Sequence, residues 1–290
     1  MKKKIIFNGC SFMAGDKIAW EQYCKEVGNR LTWEQFCSPE YATRHVTDAD
    51  VVYWNNYHNI YKRNNNLPQF VINSLGLSVD NKIDISTDGK SNDMISISTV
   101  NYILNIPLEE RKNYHAVIGW SSVYRVMKYT SKYKNFMNLN VGHGSHADWL
   151  LNEFKEYITA VIINADGEDI AMNYFRNILL LENFLLANNI TYTFYRAMGS
   201  ASECVMREHT FDPGHIVGSL QLNNISNFNN WIKFYDTDIN PVIGGSWNSS
   251  YLNNQPNNWI CADNPHPNTA AAIALANVIK DKILEQQVLN

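Results

Sequence analysis

Two short stretches hold the residues best suited to chemistry. Near the amino end the chain reads Ile5-Ile6-Phe7-Asn8-Gly9-Cys10-Ser11, an apolar run that stops in a small turn displaying a serine. Near the carboxyl end it reads Asp263-Asn264-Pro265-His266-Pro267-Asn268, with a carboxylate three residues before an imidazole. A serine hydroxyl is a weak nucleophile at neutral pH. It needs a base within hydrogen-bond reach, usually a histidine that a carboxylate orients. It also needs donors aimed at the oxygen that gains charge. Ser11, His266 and Asp263 are therefore candidates for nucleophile, base and orienting group. Pro265 and Pro267 stiffen the backbone on either side of the histidine, which reads as a rigid loop. Each residue also has a plainer role. Ser11 and Asp263 are both residue types that cap helices, and His266 alone would be a surface loop histidine.

The elements around these residues follow from hydrophobic spacing. Residues 3–8, Lys82–Ser86, His115–Trp120, Thr191–Arg196 and Ile232–Tyr235 read as strands. Helices are expected over 67–76, with Pro68 in the first turn, and over Ser91–Asn105. The middle reads as mostly helical, with amphipathic spacing over Trp149–Ile163 and Ile170–Asn188 (the LLLENFLL run of the latter implying a well-buried helix), and a last helix is expected over Thr269–Leu284. Strands alternating with helices imply a parallel sheet covered on both faces, with the ligand site beyond the carboxyl ends of the strands. Ser11, Gly89 and Trp120-Ser121 each follow an expected strand, so they should share one edge of the sheet. The whole chain, 1–290, reads as one domain with insertions at about 16–66, 126–165 and 199–260. The first of these is rich in Trp, Tyr, His and Asn and reads as irregular, apart from a short helix near Leu31–Phe36.

Four blocks, GCSFMAGD, GKSND, IGWSS and DNPHPN, occur in this order and span almost the whole chain. Together they resemble the blocks of the SGNH hydrolase (GDSL esterase/lipase) superfamily. The resemblance implies a three-layer α/β/α sandwich with a parallel, flavodoxin-like sheet. It implies Ser11 as nucleophile and first oxyanion donor, Gly89 as a second backbone donor, His266 as base and Asp263 as its partner. Two blocks depart from the family pattern. The usual GxND asparagine is replaced by Ser121, a shorter donor, for which Asn92 of GKSND is a candidate substitute. The usual GDS reads Gly9-Cys10-Ser11, and alternation after a strand turns Cys10 toward the core. Trp120 and Arg125, beside the third block, are candidate substrate contacts, Arg125 for an anionic group. The implied activity is ester hydrolysis through an acyl-enzyme, on a small-molecule or carbohydrate ester such as an O-acetylated sugar. Acyl transfer on the same scaffold and ligand binding without turnover are the alternatives.

Composition narrows the rest. Hydrophobic residues make up 45% of 290, enough for a sizeable core. Net charge is −4 and no basic stripe recurs, which argues against a nucleic-acid partner. The 5 cysteines form no CxxC pair, so neither a disulfide framework nor a zinc knuckle is expected. His143 and His146 lack companion ligands, and neither a metal nor another cofactor is expected. The apolar run near the amino end is too short for a signal peptide, and no run is long enough to span a bilayer. A cytoplasmic protein is the resulting expectation. The aromatic segment 20–61 suits either a sugar-stacking rim or ordinary packing.

Overall fold

The computed structural model describes residues 3–28, 48–87, 89–122, 125–130, 135–140, 154–157, 159, 167–197, 226–232, 260–261 and 264–286. The expected helix over Leu31–Phe36, the His143/His146 pair and Asp263 lie outside the described residues.

Short runs of β-branched and aromatic residues form the strands of the central sheet. They are β1 (Lys4–Asn8), β2 (Lys82–Asp84), β3 (Tyr114–Trp120), β6 (Thr191–Arg196) and β7 (Trp231–Ile232). Their order is β2-β1-β3-β6-β7, and every neighbouring pair is parallel. Numbered by sheet strands alone, this is 2-1-3-4-5, the flavodoxin-like order, whose switch point falls between β1 and β3. A sheet covered on both faces has no solvent side, so its strands are apolar without alternation. All seven residues of β3 are accordingly buried.

Helices α5 (Leu67–Ser74) and α8 (Thr269–Glu285) pack on each other and cover one face. There Ile5, Phe7 and Val117 meet Val71, Ile72, Leu275 and Ile279. Helices α6 (Asn92–Leu104) and α7 (Gly167–Ala187) cover the other face, where Ile6, Ala116 and Ile118 meet Ile95, Ile103, Ile178 and Leu181. Three of these helices start on side-chain caps: Asn66 accepts from the Gln69 N–H, Ser91 from Met94 and Asn268 from Ala271. Each cap satisfies an N–H that the first helical turn leaves unpaired. The last of the three is the asparagine of the DNPHPN block.

Four local expectations are corrected. The segment read as irregular from residue 16 is helical where described: α2 (Asp16–Val27), α3 (Asp48–Trp54), a π-helix (Asn55–Tyr61) and α4 (Lys62–Asn64). Its aromatics pack on one another, Trp20 stacking on Tyr23 and Tyr23 meeting Tyr57 edge-on, each at 5.7 Å. Second, helix α7 has the expected amphipathic spacing, but its LLLENFLL run is less buried than expected: Leu181 and Leu185 face the core, whereas Leu180 and Leu186 are exposed. Third, the middle of the chain, read as mostly helical, opens with an antiparallel hairpin of β4 (Arg125–Thr130) and β5 (Asn135–Asn140) after β3. Fourth, the histidine segment is not a loop: β9 (Asn264–Pro267) pairs antiparallel with β8 (Ile260–Cys261). Among the described residues no helix is long and apolar enough to cross a membrane.

One histidine belongs to the core. His115 is wholly buried near the amino end of β3, with its ring nitrogens 3.0 Å and 3.1 Å from the hydroxyls of Thr191 and Thr193. Burial, aided by the nearby Lys3 charge, pushes its pKa down to about 3. The folded imidazole therefore stays neutral while the unfolded one protonates near pH 6.5. Between these values the unfolded state holds the extra proton, so stability falls as pH drops, at most ~1.4 kcal/mol per pH unit. Urea unfolding from pH 7 to pH 4 should show a smaller loss in His115→Gln than in the wild type. Equal slopes would mean that His115 does not titrate in this way.

Candidate active site

The sheet order places a crevice where β1 and β3 end side by side. Their register runs from Lys4 beside Tyr114 to Asn8 beside Ile118, so Gly9 leaves β1 next to Gly119. The approach there is close: a Cβ on Gly9 would stand 3.0 Å from the Gly119 carbonyl oxygen. Gly119 in turn lies under Tyr195, whose Oη would be 2.6 Å from a Cβ at that position. Only hydrogen side chains fit at this seam. Beyond it Cys10 turns into the core, and its carbonyl accepts from the Met13 and Ala14 N–H groups, starting helix α1 (Ser11–Ala14). Ser11 is thus the first helical residue. An N–H at that position has no acceptor within its helix and points outward from the turn.

The β2 exit runs alongside. Ile85 N–H donates to the Phe7 carbonyl at 2.9 Å, and Thr87 N–H donates to the Gly9 carbonyl at 3.3 Å. These two bonds bring the β2 exit to within two residues of Gly89 where β1 ends, two residues before Ser11. Gly89 has φ +71° with open space around its Cβ position, so the left-handed backbone, not crowding, favours glycine there. Asp84 organises the start of this exit by accepting from the Ser86 N–H and from the Asn66 amide.

The third block closes the seam from the β3 side. Asn92, buried at the start of α6, donates its amide to the carbonyls of Ser121 (3.2 Å) and Ser122 (3.0 Å). Its Oδ1 accepts the Ser121 N–H at 2.8 Å. Both amide protons are thereby engaged in bracing the β3 exit, which corrects the expectation of Asn92 as a spare oxyanion donor. Ser121 is itself fully buried, and its Oγ lies 3.2 Å from Arg125 Nη1. Arg125 therefore reaches back to the third block. Trp120, expected to touch substrate, is also wholly buried and meets Tyr174 and Phe194 edge-on. It is a core residue, because the last residue of a doubly covered strand still points into a helix layer.

Strand β9, which carries His266, lies against both α2 and α8. Helix α2 follows α1 after a single residue, so the histidine segment packs on the element directly downstream of Ser11. Among the described residues no group of three or more His, Cys, Asp or Glu is placed to hold a metal. A cavity of about 430 Å³ lined by Leu186, Tyr192, Asn230 and Gln286 opens at the amino end of β6, the edge opposite Ser11.

Sequence reasoning missed Asn8 and Lys90. Asn8 donates to the Ile95 carbonyl and to the hydroxyls of Ser98 and Thr99, all within 2.9 Å. Lys90 donates to Asn8 Oδ1, the Ile85 carbonyl and Ser98 Oγ. The available signal was polarity out of place: an asparagine ending a buried strand, and a lysine between a turn glycine and a helix cap.

No protein-family model matches the chain, and no curated protein matches it. Among solved structures it is similar to the crystal structure of a "putative acylhydrolase" from Bacteroides fragilis. The two share 11% identity at a TM-score of 0.40, covering 98% of this chain and 88% of that one. A likeness at this distance assigns no residue a role.

The Asn92 brace has a direct consequence. Asn92→Ala would remove the Oδ1 acceptor of the buried Ser121 N–H and one donor from each of the Ser121 and Ser122 carbonyls, the latter still accepting from the Arg125 N–H, at ~1–3 kcal/mol for each group left unpaired where water does not reach. A loss of about 2–5 kcal/mol in urea unfolding is expected. A loss under about 0.5 kcal/mol would show that the β3 exit does not depend on this side chain.

Proposed function

We propose that this chain is a serine ester hydrolase acting through an acyl-enzyme on Ser11. The observation that supports the reading is that the chain leaving β2 runs along the end of β1 through the Ile85–Phe7 and Thr87–Gly9 hydrogen bonds, two residues before Gly89 on one side and Ser11 on the other. The packing of the His266 strand against α2 adds to it.

In this reading the Ser11 hydroxyl attacks the ester carbonyl while His266 takes its proton. The carbonyl oxygen gains the charge and is met by the backbone N–H groups of Ser11 and Gly89. Two aligned donors in a water-poor crevice can supply several kcal/mol of barrier reduction. The tetrahedral intermediate collapses, the alcohol leaves with the proton from His266, and Ser11 remains acylated. Water, deprotonated by His266, then attacks the acyl carbon and releases the acid. Asp263 would hold the imidazole in the tautomer that accepts from Ser11. The substrate class favoured by the polar and aromatic insertions is a small acyl ester, including acetyl on a carbohydrate.

A second reading, ligand binding without turnover, is favoured by one observation. The third oxyanion donor of the pattern is replaced by a serine that is fully buried and in contact with Arg125. Loss of one donor costs about 10²–10³ in rate and leaves the nucleophile intact.

Wild type should hydrolyse p-nitrophenyl acetate and gain one phosphonyl group from a fluorophosphonate by intact mass. Ser11→Ala should lose labelling and at least roughly 10⁴ in kcat. Because His266 acts as a neutral base, kcat/KM should fall as pH drops through about 6–7. Equal turnover by wild type and Ser11→Ala, or a flat profile from about pH 5 to 8, would contradict the mechanism.

A further inference from the structure

We infer that Lys90 is a positioning residue for the reaction, fastening the Gly89 turn at the distance from β1 that the oxyanion site requires. This rests on the hydrolase reading above and adds to it a group that makes no contact with substrate.

Lys90 is 6% exposed, an unusual setting for an ammonium. It has three protons and meets three acceptors. Asn8 Oδ1 lies 2.8 Å away and Ser98 Oγ 3.1 Å away, and the Ile85 carbonyl is the third. These acceptors come from three places: the last residue of β1, the first turns of α6 and the exit of β2. Lys90 therefore joins both ends of the loop that contains Gly89 to the strand that leads to Ser11. The acceptors are themselves fixed. Asn8 is held by Ile95, Ser98 and Thr99, and Ser98 donates to the Met94 carbonyl at 2.6 Å. On the other side of Lys90, the Ser91 N–H donates to Asn138 Oδ1 of the β4–β5 hairpin at 3.1 Å. Asn92 follows with its brace on the β3 exit. The stretch from Gly89 to Asn92 is thus tied in turn to β1, the hairpin and β3.

A charge at this depth costs desolvation, which the three acceptors offset. Burial lowers the Lys90 pKa to about 8, partly offset by the negative charge of Asp84, so the group remains an ammonium near pH 7. Its location explains the expense. Gly89 holds a left-handed φ without strain, and because glycine has the widest choice of backbone orientations, neighbouring groups must fix the one its turn adopts. A donor misplaced by about 1 Å can lose roughly 10² in rate.

The test is Lys90→Met, which keeps the length of the stem and removes the three donors. Turnover of p-nitrophenyl acetate is normalised to the fraction of Ser11 that a fluorophosphonate labels to completion. That normalisation removes any loss from unfolded protein. The expected result is a fall of about 10–10² in kcat with KM within about twofold. Ser98→Ala, which removes one acceptor and leaves the charge, should lower kcat by a smaller factor. If Lys90→Met does not fold, the Ser98→Ala result decides: unchanged normalised kcat overturns the inference. With an active wild type, unchanged kcat in Lys90→Met, or a rise in KM alone, overturns this inference and leaves the hydrolase reading standing. No Ser11-dependent turnover in the wild type overturns both.

Discussion

The seam between β1 and β3 depends on two glycines. Gly9 passes so near the Gly119 carbonyl that a Cβ there would stand only 3.0 Å from its oxygen and the backbone would have to give by a few tenths of an ångström, and the Tyr195 ring fills the space over Gly119. Parallel strands in this order diverge at the switch point, and the crevice they leave is only as narrow as their closest backbone contact. Here that contact is backbone against backbone. It fixes where Cys10 turns inward and therefore where Ser11 starts its helix. The tight end of β1 is a steric result first. Any chemistry at Ser11 inherits that geometry.

The edge beside this seam is held by polar groups rather than by apolar packing. Asn8, Lys90, Asn92 and Ser121 are all buried, and each is bonded to the backbone or side chains of another element. Buried polar groups contribute little net stability when paired and cost ~1–3 kcal/mol each when orphaned. Their asymmetry makes them good at specifying one arrangement, because a shifted loop leaves several of them unpaired at once. An apolar core below the edge supplies the cohesion, with Ile5, Phe7 and Val117 on one face and Ile6, Ala116 and Ile118 on the other. The division places stability in the middle of the sheet and precision at its carboxyl edge.

The central sheet was legible because burial on both faces leaves continuous apolar runs that end at turn residues. Strand β6 spans Thr191–Arg196 as its alternation indicated, helix α5 carries its proline in the first turn as expected, and α8 covers the expected stretch, capped by Asn268 rather than by Asp263. Helix α2 was not legible, because it buries Asp16 and Lys17 beside Trp20 and Tyr23, so polar and apolar positions share one face. Trp120 reads as a substrate contact from its place in the third block, whereas the strand continues through it and its side chain is wholly buried in the helix layer. Asn92 reads as a candidate donor, and its amide bonds the Ser121 and Ser122 carbonyls, a use that spacing alone does not reveal. The β9 strand was hidden by its two prolines, which are tolerated in a short hairpin at a sheet edge.

The central claim is that the Ser11 and Gly89 N–H groups converge on the oxygen of a group bound to Ser11. A crystal structure of the adduct with a small fluorophosphonate tests it most directly. The account predicts phosphorus on Ser11 Oγ, with the phosphonyl oxygen within about 3.1 Å of both N–H groups and His266 within hydrogen-bond reach of Oγ. An adduct whose phosphonyl oxygen faces away from Gly89, or a phosphonate carried by another residue, would contradict it.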